Sequence, residues 1–414
     1  MSKSSFQYSL FSRVFEHRRS LLTGLCVLCF IFIAWASIWL NPIHFRRLNN
    51  RPKLLLRDDT SSKEKQHVVF AKVHKAAGTT VFNLMMRYAM KHELDVLLRK
   101  TYVHLNEGDS ALPSEDLIPL PTGKQFYDIL CHHLVFDYRE ISQYFPSDTV
   151  YLGIVREPFS HFRSAFVYYS EKYGPDYMLK AIWANRENPI EEFLRNPQLF
   201  LKDRKPLSLQ INNRMSLDFG FPLDDFEESK KNKTKIDIFL NHLRSTFDFI
   251  MIAEMFDESL IMLRRLMNWS IKDILYIDSN VFTPSNTSLS WIQTKKYSSE
   301  VRRLFEKWAA IDVALYRYFY DIFQQRLDSQ PDDFYDELNT FKEVRESVVE
   351  ACQRDASSET TVLPMHFRST PQSADFTLTS GDCHMMTSEA FVVTHKVRKL
   401  QLTRSGDHAT VVEW

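Results

Sequence analysis

Glycine is scarce in the first part of this chain: Gly78 is the only one between Gly24 and Gly108, so the G-x-x-x-x-G-K-[ST] loop of ATP-binding proteins is absent. Asp218-Phe219-Gly220 occurs, but the Gly-rich and His-Arg-Asp loops of a protein kinase do not accompany it, which excludes that reading of the tripeptide. Charge of one sign is also lacking. Lys+Arg and Asp+Glu both number 52, which removes the global basic excess of a nucleic-acid binder and leaves anion recognition to local clusters. No internal repeat is visible. Long hydrophobic runs are limited to one, Leu21–Leu40, which carries no charge.

That run has the length to cross a hydrocarbon core of roughly 30 Å at about 1.5 Å per residue. A cleaved signal peptide is the rival, since Ala34-Trp35-Ala36 resembles a cleavage site, but the apolar run continues through Leu40. The expected organisation is a cytoplasmic tail (1–20), one transmembrane signal-anchor (21–40), a polar stem (41–66), a lumenal domain (67–330) and a C-terminal helix with a polar tail (331–414). Basic residues flank both ends of the span and do not orient it. Three sequons, at Asn232, Asn268 and Asn286, favour a lumenal body. In such a compartment Cys352 with Cys383 is the first disulfide candidate, leaving Cys131 buried; Cys26 and Cys29 fall inside the span.

With 44% hydrophobic and 14% aromatic residues, the chain can bury a large core. His67–Arg87 reads as a buried strand, a tight loop and the start of a helix. In the loop, Lys75-Ala76-Ala77-Gly78-Thr79-Thr80 joins small residues, hydroxyls and positive charge at a helix N-terminus, where backbone N–H groups hold anions; Lys72 adds a second cation. A second strand, Thr149–Val155, runs into Arg156-Glu157-Pro158 and a helix that carries Ser164. Arginine's planar fork suits phosphate, while pairing with Glu157 or Glu171 is the bland alternative. Further strands are expected at 247–254 and 274–277, with an amphipathic helix at 258–268 between them. Strand and helix alternate, so the fold class is α/β with a parallel sheet flanked by helices, and both anion loops fall at strand C-terminal ends.

Between these loops lie His132 and His133. Adjacent positions in a strand face opposite ways, so one of the two faces any given cleft, and histidine has the pKa to take a proton from a hydroxyl near neutral pH. No carboxylate or third histidine stands at a ligand spacing nearby, so no metal is expected. Asn213 and Arg214 are candidates to touch cofactor or sugar, with a solvated loop as the reading preferred.

The order of lysine, small residues and threonines around Lys75 resembles the 5′-phosphosulfate loop of sulfotransferases that use 3′-phosphoadenosine 5′-phosphosulfate (PAPS), and Ile154–Ser164 resembles their 3′-phosphate motif. Together with Lys72–Lys75, Cys131–Phe136, Arg156–Tyr169, Asp218–Gly220 and Ala253–Leu260 running on to Leu275-Tyr276, the set is similar to the galactose 3-O-sulfotransferase family, which includes galactosylceramide sulfotransferase. The resemblance covers roughly residues 66–280. It departs at Ala76, Ala77 and Gly78, where Thr and Ser are common, and at Glu157, where Asp or Asn is usual.

What the resemblance implies is a P-loop-NTPase-like sulfotransferase fold behind one transmembrane helix in the Golgi membrane, single-pass type II, with PAPS as donor and no metal. The acceptor would be the 3-hydroxyl of a galactose on a glycolipid or glycoprotein glycan. Lys75 through Thr80 would hold the 5′-phosphosulfate and Arg156 with Ser164 the 3′-phosphate. Lys75 would stabilise the leaving oxygen with help from Lys72. His133, or failing that His132, would be the base, with His74 a third candidate. Transfer to another sugar hydroxyl and a catalytically inactive glycan-binding protein are the alternatives. No nucleic-acid partner is expected, and the oligomeric state is left open.

Overall fold

The computed structural model describes residues 63–100, 105, 112, 114–172, 176–201, 210–277, 289–357 and 363–406. The expected tail, span and most of the stem lie outside these residues, as does Asn286. Among the described residues, no helix is long and apolar enough to cross a membrane.

Four parallel strands form the central sheet: β1 (Val68–Ala71), β2 (Ile129–Leu130), β3 (Val150–Val155) and β4 (Phe249–Ile252), in the order β2-β1-β3-β4. Every residue of the four is buried. A parallel strand covered on both faces needs apolar side chains at successive positions, and this is why the strands read as unbroken hydrophobic runs. Phe70 lies opposite Leu152 and Leu152 opposite Phe249, fixing the register.

The chain leaves β1 for β2 on one side, then crosses back to lay β3 on the other side of β1. That reversal places a crevice at the carboxyl ends of β1 and β3, where ligands bind in open α/β sheets. Helix α1 (Gly78–Lys91) follows β1, and α2 (Pro158–Lys172) follows β3. The latter is fixed by a separate aromatic cluster in which Phe159, Phe162 and Phe166 pack with Phe193 and Phe305. A short helix, α3 (Arg214–Asp218), lies beyond it; α4 (Lys233–Thr246) leads into β4. The amphipathic helix expected over 258–268 is α5 (Phe256–Met267), burying Leu260, Leu263, Leu266 and Met267.

The strand expected at 274–277 does not form. Instead Ser270 accepts from the Asp273 backbone N–H and Asp273 accepts from Ser270 in return, a capping box that nucleates the short helix α6 (Ile271–Ile274).

The aromatic stripe after Ser298 forms a helix at Ser299–Trp308 and then α7 (Ala310–Asp328); the charged segment after Pro331 forms α8 (Asp333–Ser357). The residues beyond are folded onto the same unit. An antiparallel pair, β5 (Met365–Phe367) and β6 (Phe376–Leu378), precedes α9 (Ser380–Thr387) and α10 (Ala390–Ser405). Cys352 and Cys383 form the disulfide expected from the sequence, tying α8 to α9 with Cα atoms 5.4 Å apart. Cys131 is buried and free, as expected. Helix α10 packs on α1, and its buried Gln401 side chain donates to the Val96 carbonyl (2.9 Å) and accepts from the Val96 N–H (3.0 Å).

Candidate active site

The loop from β1 to α1 turns through two left-handed residues, Lys75 (φ 56°) and Ala77 (φ 59°). Non-glycine residues adopt this region only when the surroundings require it. Helix α1 begins without a side-chain cap and without an acidic residue in its first turn, so its positive end faces the crevice through backbone N–H groups, with Thr79 and Thr80 half-buried beside them. Gly78 is needed for a close approach: a Cβ there would sit 2.9 Å from the Val73 oxygen and 3.0 Å from Lys72 Cγ. Ala76 is buried and Ala77 exposed.

The two expected anion loops meet. Arg156 Nη1 donates to the Lys75 carbonyl at 3.0 Å, joining the end of β3 to the loop after β1. Lys75 Nζ stands 3.9 Å from the centre of the Tyr168 ring on α2. Burial, then the nearby Arg156 and Lys172, lowers the Lys75 pKa to about 8. Burial likewise lowers Arg156, with Glu254 and Glu157 opposing. Ser164 is buried on α2, which starts two residues after Arg156. Glu157, weighed from the sequence as an arginine partner, caps α2 by accepting from the N–H groups of Phe159 (3.1 Å) and Ser160 (2.7 Å). Glu171 accepts from the Leu289 N–H instead.

Lys72 is buried beneath the loop. It is 5% exposed, its Nζ lies 4.2 Å from the centre of the Phe82 ring, and burial lowers its pKa to about 8, with Cys131 opposing.

The paired histidines diverge as the sequence implied, although β2 ends just before them. His132 is buried against the edge of Phe82, its Nε2 3.1 Å from Thr394 Oγ1 of α10, so it lies outside the loop cluster. His133 turns the other way. Its Nδ1 donates to the Lys72 carbonyl at 2.9 Å, which puts the lone pair on Nε2, and its ring stacks on His74 with centroids 3.8 Å apart. His161 on α2 supports the same loop, donating from Nε2 to the His74 carbonyl at 2.7 Å. Its burial lowers its pKa to about 3, so it is neutral at any working pH.

Three residues outside the two anion loops join the site. Asp218 is buried and accepts from the His74 backbone N–H (2.8 Å) and from His74 Nδ1 (2.9 Å). Arg214 pairs with it at 2.8 Å. Burial would raise the Asp218 pKa, but Arg214 and His74 overcome this and hold it at about 2. Asn213 and Arg214 are therefore not a solvated loop. Asn213 is 1% exposed, and its Oδ1 accepts from the N–H groups of Ile311 and Asp312 at 3.0 Å each. Asp312 returns the arrangement by accepting from the N–H groups of Met215 (3.2 Å) and Ser216 (2.7 Å), so α3 and α7 cap one another. Asp218-Phe219-Gly220 is thus a structural joint: the Phe219 ring fills the space over Gly153 on β3, and Gly220, at φ 87°, passes so close to Phe136 that a Cβ would lie 2.1 Å from its oxygen.

The loop suits a multiply charged anion: small residues at a helix start, two threonines and the cations Lys75 and Arg156 are brought together at one end of the sheet, and Gly78 lets the loop close on Val73 and Lys72. Among the described residues, no three His, Cys, Asp or Glu side chains converge on a metal site. Of the sequons, Asn232 and Asn268 are exposed.

The chain is similar to galactose-3-O-sulfotransferase 2 of Mus musculus, 27% identical over 312 residues that cover 73% of this chain and 74% of that protein. It is 31% identical to galactose-3-O-sulfotransferase 3 of Mus musculus over 278 residues, 66% of this chain and 59% of the relative. With galactosylceramide sulfotransferase of Mus musculus it shares 25% identity over 268 residues, 64% of this chain and 58% of the relative. The family model described as galactose-3-O-sulfotransferase matches residues 11–364, most of the chain including both anion loops, the histidines and the Asp218 joint. This protein belongs to the galactose-3-O-sulfotransferase family.

Proposed function

We propose that this protein is a sulfotransferase that moves a sulfuryl group from PAPS to the 3-hydroxyl of a galactose residue on a glycolipid or glycoprotein glycan. The observation that carries the reading is the contact of Arg156 with Lys75, which brings the two anion loops side by side. When bound, the donor supplies a sulfuryl group already activated on a phosphate leaving group. The chain must then hold, align and neutralise charge.

The backbone at the start of α1, with Thr79 and Thr80, would hold the 5′-phosphosulfate, and Arg156 with Ser164 the 3′-phosphate. Lys75 would neutralise the oxygen that leaves sulfur, with Lys72 adding positive potential from beneath the loop. His133 would accept the proton of the galactose hydroxyl on Nε2, since its Nδ1 proton is committed to the Lys72 carbonyl.

The parallel sheet and this loop also support a P-loop-NTPase-like arrangement of the fold. The uncharged run supports a single-pass anchor at 21–40, the sequons support a type II orientation with a lumenal catalytic domain, and the family resemblance supports a Golgi location; the disulfide and the exposed Asn232 and Asn268 are consistent with an oxidising lumen.

The test is transfer of radiolabelled sulfate from PAPS to a panel of galactosides on lipid, N-glycan, O-glycan and uronic-acid-containing acceptors. Product sulfated at the galactose 3-position is expected. His133→Ala should abolish transfer while donor binding survives, and Lys75→Ala or Arg156→Ala should weaken donor binding at least tenfold with the domain still folded. Binding of galactosides without transfer to any of them, or unchanged kinetics in the Lys75 and Arg156 variants, would overturn the reading.

A further inference from the structure

We propose that Asp218, held by Arg214, is a positioning residue that fixes the His74 ring against His133, so that the two stacked rings take up one proton between them during the reaction. The inference rests on the transferase reading and assigns a role to residues which that reading leaves idle.

Asp218 grips residue 74 at two points, the main-chain N–H and Nδ1, which fixes both the peptide and the ring. His74 Nδ1 lies between the Asp218 carboxylate (2.9 Å) and Arg214 Nη2 (3.0 Å), and the His133 Nδ1 proton is directed at the Lys72 carbonyl. The two rings are stacked with centroids 3.8 Å apart and tilted by 21°, and Arg214 Nη2 also lies 3.5 Å from His74 Nε2. A proton gained by one ring repels a second from its neighbour, so the pair titrates as a unit.

The groups that face His74 decide which ring takes the proton. From its own loop comes Lys72, from α3 Arg214 and Asp218, from the segment after β2 His133, and from α2 the neutral His161. Burial first, then Arg214 and Lys72, holds the His74 pKa below its ordinary value, with Asp218 opposing. These groups disfavour a proton on His74 and leave His133 as the ring that takes it. The Asp218 charge, buried against the His74 ring on which His133 stacks, favours that protonated state; Arg214 moderates it. Placement of Asp218 is in turn secured by the mutual capping of α3 and α7 and by Gly220.

Asp218→Asn keeps the shape and removes the negative charge, and Arg214→Gln removes the positive charge that opposes it. The first should shift the acidic limb of kcat/KM against pH downward by about one unit, the second upward, because a nearby anion raises and a cation lowers a histidine pKa. In Asp218→Asn kcat should fall about 10- to 100-fold, in the range typical of a weakened acid–base step. Affinity for 3′-phosphoadenosine 5′-phosphate should stay within about twofold.

The same opposite displacements should appear in the histidine ring signals of 15N-labelled protein titrated without substrate. This arm decides the inference even if no galactoside is sulfated. A purely structural role predicts lost stability in both variants with no opposed movement of the midpoints, and midpoints that stay still or move together would overturn the proposal. If Asp218→Asn does not fold, Arg214→Gln carries the test by itself, since removal of the cation should move the midpoint upward and a midpoint that stays still or falls would overturn the proposal.

Discussion

Lys72 offers the most quantitative test of how this site is built. Its ammonium is buried, and its pKa stands at about 8 against an ordinary 10.5. At about 1.36 kcal/mol per pKa unit, the charged form is disfavoured in the fold by about 3 kcal/mol. Contact with the Phe82 ring returns about 0.5–2 kcal/mol of this, leaving a net cost of about 1–3 kcal/mol at pH 7.

Lys72→Met retains the length and apolar contacts of the side chain and removes the charge. The variant should therefore be more stable than the parent at pH 7 by about 1–3 kcal/mol, while its affinity for 3′-phosphoadenosine 5′-phosphate falls. The sign with pH follows from the lowered pKa. Below about pH 8 both folded and unfolded chains hold the proton and the fold bears the whole cost. Between about 8 and 10.5 the folded chain has released it and the unfolded chain has not, so the parent gains stability and the advantage of the variant shrinks. Urea unfolding of both proteins at pH 7 and pH 10 measures this, because alkaline titrations common to the pair cancel in the difference. A variant less stable than the parent at pH 7, or an advantage unchanged at pH 10, would refute the claim that the site holds a costly buried charge.

Two further substitutions probe the scaffold. Gly220→Ala should destabilise the domain by about 3 kcal/mol or more, since a Cβ would meet the Phe136 oxygen at 2.1 Å on a backbone at φ 87°; the readout is the thermal midpoint, and a shift under 2 °C would contradict the clash. Gln401→Ala should cost about 1–3 kcal/mol because it strands both the N–H and the carbonyl of buried Val96, and hydrogen exchange at Val96 should accelerate with it.

The sheet and both anion loops were legible because their signals are local. Val68–Ala71 and Val150–Val155 are continuous apolar runs, and each is followed at once by its cation, Lys72 or Arg156. The divergence of His132 from His133 also followed from the alternation of successive side chains. Other features depend on partners far away in sequence. Asn213 and Arg214 read as polar loop residues because their partners, at 311–312 and at Asp218 beside His74, are brought in only by the fold. Asp218-Phe219-Gly220 carried a family signal, but its use as a joint depends on Gly153 and Phe136, which only the fold brings beside it. At 274–277 the β-forming residues outweighed the Ser270-x-x-Asp273 box, which local hydrogen bonding favoured. Helix α10 was obscured because its inner face is half polar: Thr394, Arg398 and Gln401 are buried there with Val393, Val397 and Leu402.

That inner face links the far end of the polypeptide to the catalytic floor. Thr394 meets His132, whose neighbour is the proposed base, and Gln401 and Arg404 hold the segment after α1 at Val96 and Asp95. A premature stop codon just ahead of Ala390 would spare every residue assigned to donor or acceptor, yet it would take away the support under His132. Inherited truncations this late should therefore behave as loss-of-function alleles, and a protease that trims α10 should silence the enzyme without touching its crevice.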